Sequence, residues 1–224
     1  MTFSIVARCS KTGQFGMAVA SSSPAVAARC AYARAGVGAA ASQNVTDPRL
    51  GQAALDRLAA GLDAKAALDA VIDAAEHVEY RQLLIVDRDG NTAIHSGGKS
   101  LGIHTEHAGR DVAAAGNLLA NDTIPRVMVE AFLTSDGHLG NRLITAMRAA
   151  LAAGGESGPV HSAGMLLVDL QDWPLAELRC DWSEDCPIVN IATAWDVYRP
   201  QMGYYVTRAL DPSAAPSYGV PGDE

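Results

Sequence analysis

Apolar and polar residues alternate from the start of the chain, with Phe3, Ile5 and Ala7 on one side and Ser4, Val6 and Arg8 on the other, which is the period of a strand. The turn residues Ser10-Lys11-Thr12-Gly13 lead to a second apolar run, so 2–9 and 15–21 predict an N-terminal hairpin. Residues 22–36 carry Pro24 and no sustained period, and read as irregular or partly helical. The segment 36–45 is a strand of glycines and alanines, a composition that predicts close approach by another part of the molecule.

Helical periodicity then takes over. Asp47-Pro48 opens a helix to about Ala60, with Asp47 as N-cap, Pro48 at the first helical position and Gly61 as the stop. Asp63 caps a second helix that ends near Glu76. Segments 83–86 and 92–95 flank Asp87-Arg88-Asp89-Gly90-Asn91, the clearest hairpin signal in the chain. A short strand, 111–115, leads to Gly116-Asn117; Asp122 or Thr123 then caps a helix that holds Pro125 and runs to Thr134, and another helix covers 141–153. Beyond the glycine-rich loop 154–159, segments 162–168 and 175–181 predict a last hairpin, and a helical region starts near Pro187. Strands and helices come in blocks, so the expected fold is α+β: a four-layer αββα sandwich of two mainly antiparallel sheets between helix layers. Residues 1–210 read as a single domain, and 211–224, rich in proline, serine and glycine, as a loosely held tail.

Composition narrows the function classes. With 49% hydrophobic and 19% charged residues the chain has enough apolar surface to offset its conformational entropy. A net charge of −8 with no basic run argues against nucleic acid as a partner. No segment approaches the ~20 apolar residues of a bilayer span, and the apolar stretch 15–28 is broken by Gly16, a serine triplet and Pro24, unlike the core of a signal peptide. The four cysteines form no C-x-x-C pair and no disulfide framework, which fits a cytoplasmic protein. No cofactor is implied; the expected partners are a small-molecule substrate or ligand and a second copy of the chain, since symmetric dimers are the commonest assembly.

The residue with the sharpest chemistry is Thr2. If Met1 is removed, the Thr2 hydroxyl becomes a nucleophile with its own base, an α-amine whose ordinary pKa is about 7.7–8.0. Asn117, after a strand and next to Gly116, is placed to offer its amide to a developing oxyanion, or only to close a turn. Ser21 and Ser22 end the second strand and either neighbour Thr2 across the hairpin, Ser21 as a catalytic partner that orients its amine and Ser22 on the substrate, or bond only to local backbone. Arg179 and Asp181 share one strand face, where they either clamp a substrate carboxylate or pair with each other in solvent. His104-x-x-His107, with His95 and Glu106, puts two imidazoles in reach of one ion and leaves a metal-dependent hydrolase as a third reading, although the spacing fits no standard zinc signature; His161-Ser162, adjacent on a strand, point to opposite faces. Cys9 and Cys30 read as buried, inert thiols.

These segments also resemble a known family. Met1-Thr2-Phe3-Ser4-Ile5-Val6-Ala7-Arg8, followed by Gly13, Gly16 and Ala18-Val19-Ala20-Ser21-Ser22, is similar to the opening of a bacterial family called domain-of-unknown-function family 1028. The likeness continues through Ala35-Gly36-Val37-Gly38-Ala39, Ala41 and Gln43, then Tyr80-Arg81-Gln82-Leu83 with Asp87 and Gly90. It extends to Ala115-Gly116-Asn117-Leu118-Leu119, to Ser162-Ala163 after the glycine loop, and to Glu177-Leu178-Arg179 with Asp181. The resemblance implies a fold like that of the N-terminal-nucleophile (Ntn) hydrolases, whose first residue after processing attacks an amide; here only Thr2 matches that position. Threonine members of that superfamily use a nearby lysine and acid, whereas this chain has lysines only at Lys11, Lys65 and Lys99, and Cys9 where the family usually shows aspartate. The implied function is an amidohydrolase acting on a small amide or acyl compound; the alternative is a non-catalytic member that binds a metabolite or partner.

Overall fold

The computed structural model describes residues 1–220; residues 221–224, the end of the expected tail, lie outside the described residues. Ten strands form two antiparallel sheets. The six-stranded sheet contains β1 (Thr2–Arg8), β2 (Phe15–Ser21), β7 (Thr105–Gly109), β8 (Val112–Asn117), β9 (Ser162–Val168) and β10 (Ala176–Cys180), in the order β10-β9-β2-β1-β8-β7. The four-stranded sheet contains β3 (Ala31–Arg34), β4 (Gly38–Asn44), β5 (Arg81–Asp87) and β6 (Thr92–Ser96), in chain order.

The period of two decides which layer each side chain enters. On β1, Phe3, Ile5 and Ala7 face outward and pack with Met128, Phe132, Leu143 and Trp195 of the helices α4 (Ile124–Thr134), α5 (Leu139–Ala152) and α6 (Pro187–Tyr198). Val6 faces the other way and joins Met17 and Val19 against Ala39, Ala41, Leu84 and Val86 of the second sheet. On the far side Ala40, Leu83 and Ile85 meet Leu50, Leu55, Leu58, Leu68 and Val71 of α2 (Pro48–Ala59) and α3 (Ala64–Ala74). This is the αββα sandwich expected above.

Most element ends follow the local chemistry. Asp47 caps α2 by accepting from the Arg49 amide at 3.0 Å, and Asp63 caps α3 through the Ala66 amide at 2.8 Å. Thr123 stands at the N-cap of α4 without capping it; Asn121 Oδ1 instead accepts from the Thr123 amide (3.0 Å) and hydroxyl (2.6 Å). Helix α5 starts two residues earlier than its pattern predicts, because the His138 ring accepts from the Gly140 amide at 3.1 Å. A Cβ on Gly140 would lie 2.5 Å from the Trp195 ring, so glycine there lets α6 dock on α5.

Two strands differ from expectation. Segment 22–36 contains only a four-residue helix, α1 (Ala27–Cys30), before β3, and β7 occupies a stretch with no apolar alternation. Both are edge strands, half-exposed or exposed, and pairing with β4 and β8 imposes their extended form. Within the tail, after α7 (Met202–Leu210), Asp211 accepts from the Ser213 amide at 3.1 Å and Arg208 donates to the Pro216 carbonyl at 2.9 Å.

Candidate active site

Thr2 is the first residue of β1, a central strand, and lies on the face turned toward the second sheet, 6% exposed. Register places its neighbours. Thr2 pairs with Asn117 of β8, and since Phe3 pairs with Ala20 of β2, Ser21 stands across the other flank. Thr2 Oγ1 lies 3.3 Å from Ser21 Oγ. The structure thus brings the three expected residues Thr2, Ser21 and Asn117 together at one end of three adjacent strands.

Met1 closes this end. The Thr2 hydroxyl donates to the Met1 carbonyl at 2.5 Å, and the Ser21 hydroxyl donates to the same oxygen while accepting from the Ser23 amide at 3.0 Å. The Met1 methyl lies 3.5 Å from where a Cβ on Gly158 would stand. One acyl oxygen therefore already rests on both hydroxyls.

A buried chain of amides runs from the inter-sheet space to Asn117. Ser4 donates to Gln43 Oε1 (2.6 Å), Gln43 Nε2 to Gln82 Oε1 (2.7 Å), and Asn117 Nδ2 to the same Gln82 oxygen (3.3 Å). Gln82 Nε2 donates to Ser96 Oγ (2.9 Å) and the Gly116 carbonyl (3.2 Å), which fixes the sense of the chain. Asn117, 1% exposed, consequently spends its N–H on Gln82 and keeps Oδ1 without a partner. As arranged, Asn117 offers an acceptor beside Thr2, whereas an oxyanion needs a donor; the donor on the acyl oxygen is Ser21.

Glu156, in the loop after α5, completes the group. It is 4% exposed and bridges to Leu119; Oε2 accepts from the Ser22 amide at 3.1 Å and Oε1 has no partner. Burial pushes its carboxyl up to about 7, against the pull of the Met1 ammonium, the Ser22 hydrogen bonds and His161. Ser22 thus holds Glu156 by its amide, and its hydroxyl adds to the pull on that carboxyl.

This carboxyl makes stability pH-dependent. Its folded-state pKa lies above its ordinary value of 4.5, so below that value both states hold the proton and nothing is lost. As pH rises toward 7 the unfolded chain ionises first, and above about 7 the full cost, on the order of 3 kcal/mol, opposes folding. In the Met1-bearing chain, urea unfolding of wild type and Glu156→Gln is expected to differ little at pH 4, with the variant gaining about 2–3 kcal/mol on wild type by pH 8. An equal difference at both pH values would refute this.

Arg179 and Asp181 are not brought to Thr2. They belong to the edge strand β10 and its end, separated from β1 by β9 and β2, and Arg179 is held by Asp181 at 2.9 and 3.0 Å in an exposed pair. The histidines do not converge: His95 Nε2 contacts the Val78 carbonyl and His104 Nδ1 the Gly102 carbonyl, and among the described residues no group of three or more His, Cys, Asp or Glu could hold a metal. Ser162 donates to the Ser23 carbonyl and His161 meets the Ser183 carbonyl, so they form no dyad. Lys65 and Lys99 pair with Asp69 and Glu79. All four cysteines are free thiols. Cys30 is pushed up by burial; at Cys9, just past the far end of β1, burial is outweighed by hydrogen bonds from Thr12, and the thiol lies below its ordinary value.

Sequence reasoning missed Gln43, Gln82 and Glu156 as members of the site. The signals were present: glutamines interrupting strands of small or apolar residues, and one carboxylate inside Gly154-Gly155-Glu156-Ser157-Gly158.

A crystal structure from Silicibacter pomeroyi, of a protein assigned to the DUF1028 family, is 30% identical, with 88% of each chain covered and a TM-score of 0.82. Anbu (ancestral beta-subunit) from Yersinia bercovieri is 14% identical over 96% of this chain and 100% of its own, at a TM-score of 0.39. An Anbu (Gly-1) mutant from Hyphomicrobium sp. strain MC1 is 12% identical over 90% and 96%, at 0.42. Neither Anbu likeness is close enough to carry an argument. No curated protein matches the chain. The model of the family of unknown function (DUF1028) matches residues 2–191, and the chain belongs to that family.

Proposed function

We propose that this protein is an Ntn-type amidohydrolase acting on a small amide or acyl compound, with Thr2 as N-terminal nucleophile after removal of Met1. The observation that carries the reading is the position of Thr2: the first residue of a central strand, facing the inter-sheet space, with its hydroxyl already against an acyl oxygen. Thr2 Oγ attacks the carbonyl carbon and its α-amine takes the proton. Ser21 supplies the hydrogen bond to the developing oxyanion. Asn117 Oδ1, oriented by Gln82, accepts from the α-amine and keeps its lone pair on the hydroxyl side. The alternative, a non-catalytic ligand-binding member of the fold, draws on the same Met1 carbonyl, which occupies both hydroxyls as long as Met1 is retained.

Intact mass of native, tag-free protein, with and without a threonine-reactive β-lactone, separates the two. Loss of Met1 and a single adduct on the N-terminal peptide is the expected result. A retained Met1 with no adduct would reject the hydrolase and turn attention to bound ligands.

A further inference from the structure

The acyl side of the site is already occupied by part of the protein. Met1 is an α-amino acyl group joined to Thr2 through its nitrogen; its carbonyl oxygen stands in for a substrate's scissile carbonyl oxygen, and its ammonium for a charge one carbon away. The carbonyl takes hydrogen bonds from the Thr2 and Ser21 hydroxyls. The nearby Glu156 is buried, held at Oε2 by the amide of Ser22, the residue after Ser21, and left open at Oε1. Met1 reaches the same loop, its methyl 3.5 Å from where a Cβ on Gly158 would stand, so Met1 and Glu156 share one wall of the site. A buried carboxylate oxygen with no partner costs stability, and a cationic group brought to it would satisfy it.

An acyl group moved from Thr2 N to Thr2 Oγ stays within the same few ångströms, because both atoms hang from adjacent carbons of one residue. The acyl-enzyme of a substrate shaped like Met1 therefore presents its own ammonium to the same carboxylate. We infer that the site takes amides whose acyl half carries a free α-ammonium, small α-aminoacyl compounds, and that Glu156 is the group that recognises that ammonium. The inference rests on the Thr2 reading above. In the reaction, Thr2 Oγ bonds to the carbonyl carbon and passes its proton through the α-amine to the leaving amine as the C–N bond breaks. Water then cleaves the ester, releasing the amino acid and restoring the hydroxyl. Glu156 moves no electrons; it binds.

The test compares L-methionine p-nitroanilide with its N-acetyl derivative on the mature protein, in wild type and Glu156→Gln, with β-lactone labelling of Thr2 run alongside. Wild type is expected to favour the free-amine substrate by about 100-fold in kcat/KM. Glu156→Gln is expected to raise KM for that substrate about 10- to 100-fold with kcat nearly unchanged, the signature of lost ground-state binding. Labelling, whose reagent has no ammonium, still reports a folded site in the variant. Equal use of both substrates by a wild type that labels would overturn the inference and leave the hydrolase reading standing. Parallel loss of both substrates and of labelling in the variant would show that Glu156 serves Thr2 itself, and would also overturn it. Absence of labelling in wild type would remove both readings together.

Discussion

Thr2→Ala is expected to lose the β-lactone adduct entirely and to lower kcat/KM for amide hydrolysis by about 10⁴-fold or more, the scale on which enzymes fail when the attacking atom of a cooperating group is removed. The substitution is well controlled. Alanine is small enough for Met1 still to be cleaved, so intact mass can show the same new N-terminus in both proteins. The missing hydroxyl donates to the Met1 carbonyl and lies 3.3 Å from Ser21 Oγ; once Met1 is removed only the Ser21 contact remains, and its loss should change stability by no more than about 1 kcal/mol. Thr2→Ser, which keeps the oxygen, is expected to retain labelling and part of the activity. Hydrolysis by Thr2→Ala at more than a tenth of the wild-type rate would place the nucleophile elsewhere.

Gln82→Leu is expected to be the most damaging single change to the buried polar chain, at about 3–5 kcal/mol by urea unfolding, although leucine nearly fills the same volume. Gln82 Oε1 receives two N–H groups and Gln82 Nε2 serves two oxygens, so one substitution strips partners from Gln43, Asn117, Ser96 and Gly116 at once. A buried polar group deprived of its partner costs about 1–3 kcal/mol, and members of one network do not fail independently. Asn117 would lose the bond that sets its orientation, so activity measured well below the unfolding transition should drop as well. A variant as stable as wild type would mean that the chain of amides is not structural.

How far the sequence could be read depended on where each element sits. The central strands β1, β2, β4, β5, β8 and β9 declare themselves, because a strand buried on both faces must be apolar or small along its length. Strand β3 and the Thr-Glu-His-Ala-Gly of β7 sit at edges, where pairing on one side suffices and composition is free. Ser21 was legible beside Thr2 because hairpin register is a local property, whereas Asn117 was legible only as a residue at a strand end, and its pairing with Thr2 comes from the long-range docking of β8 on β1. Gln43 and Gln82 reach Asn117 only by the stacking of one sheet on the other, and Glu156 reaches Ser22 only through the path of a loop. Neither leaves a spacing signal. Arg179 and Asp181 do share a strand face as read, but nothing local could say that each would take the other as partner.

The walls around Thr2 have a further consequence for the order of events during synthesis. Thr2 is made long before Asn117, which lies in the middle of the sequence, and Glu156, which lies in its last third. At about 5–20 residues per second the ribosome needs several seconds to reach them. Over that interval the segment carrying Met1 and Thr2 lacks the strand and loop that later bury it. Once the sheets have closed, Thr2 is buried and the Met1 carbonyl is seated on two hydroxyls. On the proposed reading, removal of Met1 is therefore expected before the sheets close, and a molecule that folds with Met1 attached keeps that carbonyl seated on both hydroxyls.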